Sequence, residues 1–196
     1  FKQKTAYEIP KRDWSSDVCS SDLFWTTMGY DKTPELLAFS EIPIATLVII
    51  IIASMILIKN NKIAFYLIFY ITFICGILLI FITLAFKAGY LNGILWMMIA
   101  GFAMYMPYIG YHTLFFERWI AHFKYKSNAG FLMAMADTAG YLGSTFVLIF
   151  KNFATPNIGW RSFFEISALT VGVLILLLTI FNFISFKKIE KKLIQY

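Results

Sequence analysis

Four ionisable groups stand in or beside long apolar runs: Glu41, His112, Asp137 and Glu165. A charge held in hydrocarbon costs about 2.5–3.5 kcal/mol even on insertion scales, so such a residue faces a cavity, a partner or water. Asp137 lies in FLMAMADTAGYLGST, with Tyr141 and Ser144 following at i+4 and i+7, one polar stripe on an otherwise apolar helix. The stripe fits a proton or ion site or a substrate contact. It equally fits a structural acid satisfied by a neighbouring Tyr, His or Arg, on a helix packed closely through Ala136, Gly140 and Gly143. Tyr105, Tyr108 and His112 share a second face at i, i+3 and i+7, and Pro107 beside them removes a backbone donor and should kink the helix. An aromatic, hydrogen-bonding face at a kink suits a cavity wall, and it also suits an ordinary helix–helix seam.

Glu41 precedes Pro43 near the start of an apolar run, where it is either a cavity group or the mark of the membrane boundary. Glu165 is expected as an interfacial acid in the first turn of its helix. No phosphate loop, metalloprotease motif or nucleophile elbow is present, so no catalytic residue, metal ligand or cofactor is assigned. His112, Glu117 and Asp137 could form an acid–base set, but their spacing does not require one. Cys75, alone in an apolar run, is expected to be buried in the core or facing lipid.

The elements that position these groups are helices. The chain is 60% hydrophobic, and its charges cluster between apolar runs, as in a polytopic membrane protein. Five spans are expected, at about 34–58, 63–86, 94–116, 130–150 and 163–186, the first capped by Thr33 with Pro34 at its first position. ERWIAHFKYK should extend the third span as a helix on the cytoplasmic side. Alternation of spans puts Lys59, Lys62, Arg118, Lys124, Lys126, Lys187, Lys188, Lys191 and Lys192 on one side. Lys32, Lys87, Lys151 and Arg161 fall on the other, so the C-terminus is expected to be cytoplasmic. The net charge of +6 is thus a topology signal, and no nucleic-acid partner is expected. Trp96, Trp119 and Trp160 sit near span ends, where interfacial positions are expected.

The polar opening has a different origin. Lys2–Glu8 and Asp13–Leu23, read back into codons, resemble the outer and inner primers of a short-read sequencing adapter, in frame and in order. The bases between them number eight, the size of a sample index. Residues 1–23 are therefore expected to be translated adapter and disordered, with 24–33 the remnant of a preceding helix and 34–196 the transmembrane bundle with its short basic tail. An N-terminal half of the same protein is expected upstream.

The polar groups fall on the first, third and fourth spans, while IAFYLIFYITFICGILLIFITLAF and most of the fifth are nearly pure hydrocarbon. That order resembles the last five helices of a major facilitator transporter, whose eighth, tenth and eleventh helices approach the cavity and whose ninth and twelfth are peripheral. The stretches GYDKTPELLAFSEIPIA, YHTLFFERWIAHFKYKSNAGFLMAMADTAGYLGS and KNF also resemble an uncharacterised bacterial membrane family grouped with those transporters, over essentially all of Phe24–Lys192. KNNK, between the first two spans, lacks the Gly- and Asp-containing motif often found there in facilitators. The resemblance implies an all-α bundle in a bacterial inner membrane that moves an unknown small solute. Asp137 is the leading coupling or substrate residue, with Tyr105, Tyr108, His112, Tyr141, Ser144 and Glu41 as further candidates. A membrane enzyme acting on a lipid-linked substrate, and a non-transporting sensor or scaffold, are the alternatives.

Overall fold

The structure, a computed structural model, describes residues 34–124, 128–150, 153 and 159–194, and every element among them is helical. The adapter-like segment, the remnant at 24–33 and the cap expected from Thr33 lie outside the described residues.

Helix α1 spans Pro34–Ile56 and opens on a proline, whose missing N–H is harmless in a first turn. Asn side chains open three of the remaining helices. Asn60 accepts from the amides of Lys62 and Ile63 at the start of α2 (Asn61–Lys87). Asn92 accepts from Leu95 at the start of α3 (Gly93–Gly110), and Asn128 from Gly130 at the start of α5 (Ala129–Ile149). Each satisfies amides that a helix start leaves without an intrahelical partner. α2 ends in a turn where Gly89 takes a positive φ of 83°, a conformation glycine enters without a Cβ penalty. α3 continues without a break through a π-helical turn, Tyr111–Phe115, into α4 (Phe116–Phe123), which stops at Lys124 in the left-handed region. The last helix, α6, runs Trp160–Ile194, well past the expected end at Phe186.

Three stretches are long and apolar enough to cross a bilayer: Asn61–Lys87, Gly93–Phe123 and Arg161–Lys192. The described apolar part of α1, Glu41–Ile56, is shorter. In α5 the run is diluted by Asp137, Thr138, Gly140, Gly143 and Ser144. Of the five expected spans, therefore, three have the length and composition by themselves.

α2 is the hub, packing on α6, α3, α4 and the π turn, while α1 packs on α3. Its inward residues, among them Phe65, Ile68, Phe69, Leu79 and Phe86, form the core. Its other face stays open, with Ile63, Tyr70, Ile74, Ile77, Phe81 and Leu84 exposed, as a helix apolar all round allows. Phe65 stacks on Phe115 at 5.3 Å and meets Phe69 and Phe186 edge-on, an aromatic knot between α2, the π turn and α6. Cys75 is in the core.

Close backbone approach occurs between α2 and α6. A Cβ on Gly172 would stand 2.7 Å from Ile80 Cγ1 and 3.5 Å from the Gly76 carbonyl, and one on Gly76 would stand 2.9 Å from Leu176 Cδ2. At Gly140 and Gly143, where close packing is expected, a Cβ would meet nothing within 4 Å among the described residues, so the close approach seen here is made by one glycine on each of two other spans. Trp96, in the first turn of α3, packs inward. It is 5% exposed, stacks on Phe86 at 4.9 Å and donates its indole N–H to Thr83 Oγ1 at 3.2 Å, which satisfies a polar atom inside the core.

Candidate functional site

His112 sits on the π-helical turn five residues after Pro107. A proline there offers no N–H to the Ala103 carbonyl, so the ladder is disturbed, and the wide turn follows within one turn of it. The expected irregularity is present, displaced toward the histidine. Tyr108 packs on the His112 ring at 4.3 Å between centroids.

From this turn the imidazole reaches α5. Nε2 lies 2.6 Å from Asp137 Oδ1, and Nδ1 lies 3.0 Å from the Tyr108 carbonyl oxygen. A carbonyl only accepts, so Nδ1 must carry a proton. A carboxylate also only accepts, so a bond at Nε2 needs a second proton, held by the ring or by the acid. Either arrangement, imidazolium with carboxylate or imidazole with carboxylic acid, stores one proton between the two side chains and leaves the pair neutral. Remove it, and a bare ring nitrogen faces a carboxylate at a distance typical of charge-assisted bonds. The pair is partly open, with side-chain exposures of 24% and 39%. Asp137 lies eight residues past Ala129, about 12 Å along the helix at ~1.5 Å per residue.

The other candidates are placed differently. Tyr105 and Tyr108 are about half exposed on α3. Tyr141 is 75% exposed, and Ser144 donates to the Tyr141 carbonyl of its own helix at 2.9 Å. Among the described residues the hydrogen bond from this stripe to the third span comes from Asp137, while Tyr141 is largely exposed and Ser144 bonds within its own helix. Periodicity puts three residues on one face, but the neighbour must run alongside to meet all three, and α5 packs chiefly on α4. Glu41 is exposed on α1. Glu165 accepts from Arg161 one turn before it, at 3.1 Å, and Arg161 lies 5.0 Å above the Phe86 ring. Glu117 is exposed on α4 and makes no hydrogen bond or ion pair among the described residues.

A second cluster has no counterpart in the sequence reading. Glu190, near the end of α6, binds Lys62 through Oε1 and accepts the Tyr66 hydroxyl on Oε2 at 2.6 Å. His122 Nε2 stands 3.6 Å from Oε1. The available signal is Glu190 itself, the single acid in KKIEKK. Nearby, Arg118 donates to Asn61 Oδ1 at 2.6 Å and to the Ile56 carbonyl at 3.5 Å, so α4 holds the connection between α1 and α2. Among the described residues no group of three or more His, Cys, Asp or Glu is gathered to hold a metal.

Fold and site define, among the described residues, an all-helical arrangement with three apolar segments of membrane-spanning length and a close His112–Asp137 contact between two helical stretches. The chain belongs to DUF5690, a family of unknown function, whose model matches residues 12–189. The match opens inside the adapter-like segment. No curated protein and no solved structure matches.

Proposed function

We propose that this is an integral protein of a bacterial cytoplasmic membrane, a secondary transporter of a small solute in which the His112–Asp137 pair holds the coupling proton. The observation that carries the reading is the single proton demanded by two acceptors on opposite sides of one imidazole. A buried-to-open contact of this kind can exist in two protonation states, and only one of them ties the third span to α5. Tyr105 and Tyr108, open on the same helix, are the aromatic wall beside it, and a midplane site between two helical halves is the usual geometry for such transporters. α1 and α5 complete the five crossings. The exposed apolar side of α5, with Phe131, Leu142 and Phe146, is the surface for the other half of the protein. The enzyme reading lacks its third group, since Glu117 stays apart from the pair.

The test is the full-length protein in liposomes that enclose a pH-sensitive dye, challenged with pools of small solutes. A solute that drives proton movement supports the reading. Solute entry with no accompanying proton removes the coupling role, and a protein that moves no solute at all removes the transporter. Orientation follows from the charge bias: a reporter fused after Tyr196 should report cytoplasm, and one inserted at Asn157 the opposite side. The reverse pattern would overturn the topology.

A further inference from the structure

Between the first two turns of α2 and the last turns of α6 lies an open groove of about 670 Å³. Its walls change character along its length. At the rim stand Lys62, Ile63, Lys187, Glu190 and Lys191, and one to two turns deeper stand Tyr66, Leu67, Tyr70 and Phe183. From Lys62 to Tyr70 the helix rises about 12 Å, roughly a headgroup and the upper part of an acyl chain.

The rim is cationic. Three lysines face one carboxylate, and that carboxylate is occupied by Lys62 and the Tyr66 hydroxyl. Lys187 is held at the mouth with its ammonium 4.5 Å from the Phe183 ring centroid. Lys191 is exposed one turn beyond. Ile63 beside them and Tyr70 below are more than half exposed, so the apolar wall opens sideways along the helices and is not sealed by the described residues. A soluble anion would leave that wall in water, and an apolar ligand would leave the lysines idle.

We propose that the groove binds an acidic phospholipid, its phosphate on Lys187 and Lys191 with Lys62 beside them, and its acyl chain along Ile63, Leu67, Tyr70 and Phe183. Both helices bring their basic ends to the same side, so the lipid belongs to that leaflet, the one where basic pockets between spans meet anionic headgroups. Glu190 acts as a positioning residue that fixes Lys62 and Tyr66 across the α2–α6 seam. The proposal rests on the membrane placement above and not on transport.

The test uses the chain purified in neutral detergent micelles, titrated with phosphatidylglycerol or phosphatidylcholine, with bound lipid counted by native mass spectrometry. Phosphatidylglycerol should bind about ten-fold more tightly than phosphatidylcholine. Lys187→Ala and Lys191→Ala should each weaken it roughly five-fold, as expected for one surface lysine, while Lys59→Ala, outside the groove, should not. Ile63→Trp keeps every lysine and narrows the exposed apolar wall, and it should weaken binding as well. Millimolar inorganic phosphate should not compete. Equal binding of the two lipids, lysine variants without effect, or an unaltered Ile63→Trp would overturn the proposal. So would displacement by phosphate, which would make the rim an anion site with no lipid.

Discussion

Asp137→Asn should fold, keep its contact with His112 and lose the proton. The amide can donate from its NH2 to His112 Nε2, which then becomes a bare acceptor while Nδ1 continues to serve the Tyr108 carbonyl. The hydrogen bond survives with a neutral ring, and the stored proton does not. Nitrogen NMR on histidine-labelled protein can read this directly, because the chain has two histidines and His122→Gln identifies the other. Wild-type His112 should show a second ring proton shared with Asp137 beside the one on Nδ1. The Asn variant should hold one ring proton, on Nδ1. In liposomes the variant should bring solute-driven proton flux to background. If Asp137 is a structural acid only, Asn will leave flux unchanged and Asp137→Leu will cost chiefly stability. A variant with the wild-type nitrogen spectrum would remove the proton site altogether.

The second large effect is mechanical. Gly172→Leu should destabilise the chain by about 3 kcal/mol, the upper end of the range for overpacking a filled interior. Even the first added carbon meets Ile80 at its Cγ1, close to the α2 backbone, where rotation offers little relief. The remaining carbons must push α6 off the helix with which it makes its broadest contact. Gly140→Leu is the matched control, since a Cβ there meets nothing within 4 Å. Thermal unfolding in micelles should separate the two, and equal losses would mean that the α2–α6 approach does not set the cost, because Leu is the better helix former at both sites. In Gly172→Ala, truncating Ile80 to Ala should recover part of the loss, a coupling that distant sites would not show.

How much of this could be read beforehand depends on what a residue's own helix reveals. The helices themselves were legible from apolar runs, and His112 and Asp137 stood out because each is an ionisable group where hydrocarbon is expected. That they face one another follows from two polar stripes needing partners. Whether Tyr141 and Ser144 share that partner does not follow, because periodicity gives direction and says nothing of how far a neighbour accompanies the helix. Glu190 was illegible for a related reason. In a basic tail it reads as a solvated charge, and its partner Tyr66 is 124 residues away. Gly76 and Gly172 each stand alone in an apolar run, and only their meeting gives them meaning. The asparagines at positions 60, 92 and 128 were a readable cap signal.

The wide turn at Tyr111–Phe115 has a geometric consequence for the helix that carries it. A regular helix advances about 100° per residue, so a residue accommodated in a wider loop shifts the phase of everything beyond it. The two ends of Gly93–Phe123 are therefore out of step with any single helical wheel. His112 points to α5 while Phe115 and Phe123 turn to the aromatic knot around Phe65. One continuous rod thus serves two compass bearings. Because the wide turn absorbs one extra residue, deleting one residue within it would restore a regular ladder and leave α4 near its present bearing, with Arg118 still at the α1–α2 connection that it holds.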